Sequence, residues 1–396
     1  MSTLKVDAIR HNSATSDAIT TAADGTCTAR ITGMTGGGGL SHRNLIINGD
    51  FRIAQRASSS ASNGYTSVDR WKMETSNITH NSTKSHQSLT SSDTPYTLGF
   101  RKFARIALAQ AGVVASNSAA EIQQRIEAQD IATSGWNYGS ASSNITLQFW
   151  FRCSTNQTFY GYLYTFDGTN QLYCFSFTAS GNNTWTKITK TIPGNSNLTF
   201  DNDNGPGLQL KLIAFYGTDY TNNLTLNQWG AFVNGNQMPD MASTWLTAGA
   251  STFDITGVQL EVGDTATTFE HRSIGEELHR CQRYFYMCAD GTRGKSGTNR
   301  APICTGAMYN TNNFNGVVNF PVEMRTTPSL YKVVGSGYFR IWGNGGSDGC
   351  NDVVLEGSSP QCGIANIYDG LSQTSGSATW ATTDNAACRL GFQAEL

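Results

Sequence analysis

Residues 254–286 change their apolar period twice with no linker in between. Ile255 closes one alternating series, and Val258, Leu260 and Val262 open another in the opposite phase. A strand can change phase and stay in its sheet only by accommodating an extra residue, which predicts a β-bulge at Thr256-Gly257. Gly263-Asp264 then reads as a turn. Ser273 followed by Glu276 has the spacing of a capping box, and Ile274, Leu278, Cys281 and Phe285 recur on one helical face. The chain is therefore expected to finish a β domain here and to run through a short helix over 274–286 into something new.

Upstream, the period of two recurs in short runs separated by Gly, Asn, Ser and Thr, the pattern of an all-β, jelly-roll-like sandwich. Ile145, Leu147, Phe149 and Phe151 share one face of a strand, and Gln148, Trp150 and Arg152 share the other. Tyr160, Tyr162, Tyr164 and Phe166 alternate before Asp167-Gly168, and Tyr173, Phe175 and Phe177 alternate after it, which predicts a hairpin. Leu208, Leu210 and Leu212 form one more strand, and residues 45–47 and 51–53 flank the turn pair Asn48-Gly49. Beyond the helix, Val317, Val318, Phe320 and Val322 and then residues 338–342 read as strands of a small C-terminal β domain.

Composition narrows the function class. Charged residues are 14% of the chain, against roughly 25% in average proteins, and 41 glycines help carry the turns. Aromatic content of 11% argues against disorder. A net charge of −2 with no Lys/Arg cluster speaks against a nucleic-acid surface. No apolar run approaches the ~18–20 residues of a membrane-spanning helix, and MSTLKVDAIRH lacks an apolar signal core. The nine cysteines form no C-x-x-C pair, so reduced, packed thiols are expected, with a bridge among Cys350, Cys362 and Cys388 as the alternative. Residues 1–40 are too poor in apolar side chains to form a core alone, and Gly36 to Gly39 make a flexible joint.

The stretch GVQLEVGDTATTFEHRSIGEELHRCQRYFY resembles a junction found in bacteriophage tail-fibre and receptor-binding proteins, where a carbohydrate-binding-module-like sandwich runs into a helix. NLIINGDFRIAQR followed by YTSVDRW resembles the start of the same module, and QQRIEA and NITLQFWFR fit its middle, so the likeness covers roughly residues 44–290. VNFPVEMRTTPSL resembles the start of a fibre-tip domain, and MSTLKVD the N-termini of structural proteins from marine and cyanobacterial phages. The resemblance implies four parts: an extended virion-anchoring segment with its glycine linker over 1–40, the sandwich over 41–272, a connector helix over 273–290, and a C-terminal tip over 291–396. It also decides residues 118–128, where Ser118 and Glu121 offer a capping box but the family counterpart is a strand.

What the resemblance implies about function is adhesion: a tail-fibre subunit, made in the bacterial host cytoplasm and carried on the virion tail, that binds host surface polysaccharide or lipopolysaccharide. A homotrimer is implied too, with Ile274, Leu278, Cys281 and Phe285 lying either where three chains meet or against their own sandwich. Leu4, Val6 and Ile9 would anchor the chain to other tail or virion proteins. Related sandwiches hold a structural calcium, for which Asp50, Asp254 and Glu261 are the candidates; no other cofactor is expected. The alternatives are a non-adhesive decoration or head fibre and a polysaccharide-degrading spike. An enzyme is not expected, because there is no G-x-S-x-G elbow or β-helix repeat, and the adjacent pairs Asp201/Asp203 and Glu276/Glu277 define no cleft.

Sugar recognition needs flat aromatic faces beside amides and carboxylates. Trp136 and Tyr138 lie in a Gly/Ser-rich loop, where they either meet a glycan or cap the sandwich end. In the tip, Tyr338, Trp342, Asn344, Asp348, Asn351, Tyr368 and Trp380 lie in or beside polar loops and are the expected receptor contacts. The Tyr160/Tyr162/Tyr164 row is another platform, although an alternating aromatic row more often faces the core, and the core is where it is expected.

Overall fold

The computed structural model describes residues 6–10, 12–13, 15–23, 27–29, 42–78, 81–295 and 297–396. It is an all-β protein whose strand ladders are antiparallel throughout. Two six-stranded sheets form the central sandwich. One, which we call the cleft sheet, runs in the order Trp229–Ala231, Gln171–Phe177, Phe159–Thr165, Pro206–Tyr216, Ala119–Glu127, Lys72–Ser76. The companion sheet runs Thr186–Pro193, Asn144–Cys153, Ser251–Val262, Lys102–Leu108, Ser82–Ser88, Ser59–Ser60. Between them lies one core in which Leu147, Phe149 and Phe151 of the companion sheet meet Leu163, Phe175, Leu208, Leu210 and Leu212 of the cleft sheet.

Several local expectations hold. Residues 119–127 are a strand, so pairing with both neighbours overrides the local capping signal. The hairpin pairs Tyr162 with Cys174 across Asp167-Gly168. The bulge is where the phase slip put it: pairing with Asn144–Cys153 jumps from Thr256 to Gln259, and Gly257 adopts φ +64°. The Asn48-Gly49 turn forms, with Asn48 at φ 56° and Phe51 N donating to Asn48 O, but the residues flanking it are not strands. Asn48 instead ties the turn to Ile53 O and Asp69 O through its amide.

The helix spans Ile274–Gln282, and Ser273 caps it by accepting from Glu276 N at 3.2 Å. It is shorter than expected, because Phe285 has left it and opens the strand Phe285–Asp290. The expected stripe is thus split between a helix and a strand. Cys281 and Phe285 are fully buried within their own chain, while Ile274 is 57% exposed and Leu278 half-buried, so the four residues present no common outer face. Glu277, buried as well, holds the helix to the sandwich by accepting from Asn48 N and pairing with Arg272.

A second core begins at Ala289 and is built from the tip, including Phe314, Phe339, Ile341, Ile367 and Phe392. The tip has a three-stranded sheet, Phe285–Asp290, Arg389–Gln393, Ser329–Val333, and a seven-stranded one, Gly346–Cys350, Phe339–Gly343, Ala378–Thr383, Pro302–Met308, Asn313–Asn319, Cys362–Tyr368, Asp352–Ser358. Charge locks it to the sandwich. Glu395 accepts from Arg70 at 2.7 Å and Arg56 at 3.2 Å, and those guanidiniums lie 3.4 Å from the Tyr284 and Phe285 ring centroids. Glu127 takes both Arg283 bonds at 2.7 Å.

At the other end, Ala8–Ile9, Ile19–Thr21 and Cys27–Ala29 form a small separate sheet, with Val6 and Ile9 about half exposed. Leu4 and the glycine run lie outside the described residues. The eight described cysteines outside that sheet, Cys350, Cys362 and Cys388 among them, are unpaired.

Candidate glycan-binding cleft

The aromatic row that was expected in the core points the other way. Phe159 and Leu163 enter the sandwich interior, so the alternation turns Tyr160, Tyr162, Tyr164 and Phe166 to the outer face of the cleft sheet. There the three tyrosines join Tyr216, Tyr220 and Phe232 in a second, separate apolar cluster, and Phe166 lines the same face beside them. The same alternation sends Gln209 and Lys211 outward from Pro206–Tyr216, and Glu121, Gln123 and Arg125 outward from Ala119–Glu127. Glu74 follows from Lys72–Ser76, where it sits opposite Glu121.

The result is a cleft of about 440 Å³ with aromatic walls and a polar floor. Tyr164 packs edge-on against Phe166 at 4.8 Å and against Phe232 at 4.9 Å, and Tyr220 lies 4.9 Å from Tyr216. Tyr164, Phe166, Tyr220 and Phe232 are half-buried, so part of each ring is open to the cleft. Arg125 lies over Phe166, 5.0 Å from its centroid. Asn170 donates to the Tyr164 hydroxyl, and Tyr162 donates to Gln237 at 2.9 Å.

The floor is a connected hydrogen-bond network. Glu121 pairs with Lys211 at 2.9 Å and accepts from the Tyr216 hydroxyl. Gln123 donates to Glu74 at 3.1 Å and to Glu121 at 2.9 Å, while Gln209 donates to Gln123. Burial pushes the Glu121 carboxyl up and Lys211 pulls it back, with burial prevailing. Burial raises the Tyr164 hydroxyl too, so it stays a neutral phenol able to donate and accept. Side chains cross-linked in this way hold their donors and acceptors in place before any ligand arrives.

Trp136 is 3% exposed and belongs to the sandwich core, with its ring 6.2 Å from Phe200, so it is corrected from a candidate contact to a core residue. Tyr138 packs against Phe200 at 5.0 Å on the same sandwich end. In the tip, Trp342 and Trp380 stack at 5.3 Å with 14° between ring planes, Trp380 is 46% exposed, and Arg300 lies 4.7 Å over Trp342. The tip's polar candidates hold its own loops: Asn344 donates to Thr374, Asp348 accepts from Ser372 N, and Asn351 accepts from Gly337 N. Tyr368 donates to Asp352, and Tyr338 packs against the tip core.

The three calcium candidates are engaged elsewhere. Asp254 takes Arg105 and Arg152, Glu261 takes Thr267 and Gln259, and Asp50 pairs with Arg52. Among the described residues no three His, Cys, Asp or Glu side chains gather as a metal cage. No described helix is long and apolar enough to cross a membrane.

Comparison with protein-family models and with curated proteins finds no match. Solved structures with related backbone traces include the enzymatically active domain of bacteriophage CBA120 tailspike protein 4, at 11% identity and TM-score 0.29, covering 56% of this chain and 21% of that one. A sugar-binding protein from Bacteroides thetaiotaomicron, so described provisionally, gives 10% identity and TM-score 0.31 over 56% of this chain and 100% of its own. The family 11 carbohydrate-binding module of the Clostridium thermocellum cellulase Lic26A-Cel5E gives 11% and 0.25 over 54% and 98%. This chain thus spans about a fifth of the tailspike chain.

Proposed function

We propose that the protein is an adhesive subunit of a phage tail fibre that binds surface glycans of the host cell through the cleft. The observation that carries this reading is the pairing of half-open aromatic rings (Tyr164, Phe166, Tyr220, Phe232) with a cross-linked polar floor (Gln209, Lys211, Glu74) and the Arg125 guanidinium on one sheet face. Ring faces stack on the C–H faces of pyranoses, and amides, carboxylates and cations bond the hydroxyls.

The fibre context rests on the resemblance of the 44–71 and 254–286 segments to tail-fibre proteins. In this proposal the protein is a homotrimer on the virion, attached to other tail proteins through the N-terminal segment. Three weak sites on each trimer would multiply into tight attachment without a tight single site. The exposed Trp342/Trp380 stack is a second contact area at the tip in this scheme. The mechanism is binding without turnover: Glu121, which would otherwise be the candidate acid of the cleft, already holds Lys211 and Tyr216.

The test is an array of bacterial surface polysaccharides probed with the full chain, with its mass measured by light scattering. Selective retention on a subset of glycans by a particle of three chains is expected. No retention on any glycan, or a monomer, contradicts the reading.

A further inference from the structure

A pocket lies beside the bulge at Thr256-Gly257, on the outer face of the companion sheet, the opposite sheet from the one that carries the cleft. At the bulge the chain presents Gly257, with no side chain, to the rings of Phe100 and Trp150. A Cβ there would lie 2.8 Å from Phe100 Cζ and 3.1 Å from Trp150 Cδ1. Beside these close-packed rings is a space of about 250 Å³, lined by Phe100, Trp150 and Phe269. Phe100 and Phe269 meet edge-to-face at 4.8 Å, and both lie about 5 Å from the His271 ring. Pockets for drug-sized ligands are roughly 300–1,000 Å³, so this one suits a single ring.

The charge of the lining is one-sided. Lys187, which sits opposite Trp150 in the strand register, lines the pocket and has no ion-pair or hydrogen-bond partner for its amine among the described residues. No carboxylate lines the pocket. Asp50, whose charge reaches His271, is buried and paired with Arg52. His271 donates Nε2–H to Leu98 O at 2.9 Å in its neutral form, which leaves Nδ1 to accept from a ligand hydroxyl. Gln148 and Thr268 add polar groups to the lining. Flat apolar walls call for a ring with a C–H face, and the unpaired lysine calls for an anion.

We infer that this pocket binds a pyranose that carries a carboxylate, a uronic acid residue, with the sugar face against the half-buried Trp150 and Phe269 and the carboxylate on Lys187. The site is independent of the cleft and would select acidic polysaccharides over neutral ones.

The probes are methyl β-D-glucuronide and methyl α-D-galacturonide, each beside its uncharged methyl glycoside, titrated into the full chain by saturation-transfer NMR and tryptophan fluorescence. The uronides are expected to bind about tenfold or more tightly than the neutral glycosides, and Lys187→Gln to abolish that preference. Tyr164→Ala, in the cleft, should leave it unchanged, so loss of array binding in that variant and loss of uronide selectivity in Lys187→Gln report on different sites. Equal binding of charged and neutral sugars, selectivity that survives Lys187→Gln, or no binding of either uronide overturns the inference.

Discussion

At the scale of single residues, direction decides role. Tyr160, Tyr162 and Tyr164 were legible as a row sharing one face, because a strand repeats every two residues. Which face met the core was not legible, since Tyr173, Phe175 and Phe177 form an equally aromatic row that does enter it. The answer lay in the partner strands: Leu208, Leu210 and Leu212 alternate with Gln209 and Lys211, and Ile122 and Ile126 alternate with Glu121, Gln123 and Arg125. A polar row on strands neighbouring an aromatic row is the signature that could have found the cleft. Gly257 is the sharpest single constraint, because its φ of +64° and the Phe100 contact both exclude a side chain. Gly257→Ala should cost about 1–2 kcal/mol, read as a lower midpoint in chemical denaturation with an unchanged slope.

At the scale of elements, period was readable and endpoints were not. The bulge, the hairpin and the helix cap all follow from spacing, because each device needs a particular residue at a particular offset. The helix stripe over-reached at its end: Phe285 fits the helical period, yet pairing of Phe285–Asp290 with Arg389–Gln393, over a hundred residues away, claims it for a sheet. Such a long-range partner leaves no local mark. Trp136 misled for a related reason, since its Gly/Ser-rich loop folds back over the sandwich end and buries the ring against Phe200. The cap itself is testable. Ser273→Ala removes the acceptor for Glu276 N and should lower stability by about 1 kcal/mol, seen as a reduced melting temperature. No change in melting would mean the helix end is held by its sandwich contacts alone.

At the scale of the whole molecule, ionic contacts clamp the sandwich to the tip. Burial works to raise the Glu127 carboxyl, but hydrogen bonds from Arg283 and Tyr284 outweigh it and hold the group below the usual range. A carboxyl held down in the folded state adds stability above its unfolded pKa, and that contribution is lost as pH falls through the lower folded value. Melting temperatures taken from about pH 6 to about pH 3 should therefore fall more steeply in the wild type than in Glu127→Gln. Parallel curves would place the acid sensitivity elsewhere. The end of the last sandwich strand and the helix that follows it were legible because the apolar period changes at 254–286, whereas the ion pairs joining residues 56, 70 and 395 were invisible to any local pattern.

The account rests on the cleft, and affinity electrophoresis through gels containing a polysaccharide retained on the array tests it most directly. The full chain should be retarded, and the Tyr164→Ala/Phe232→Ala double variant, with an unchanged circular dichroism spectrum, should weaken by roughly 2 kcal/mol, about thirtyfold in Kd. A double variant retarded as strongly as the wild type would contradict the cleft as the site of attachment.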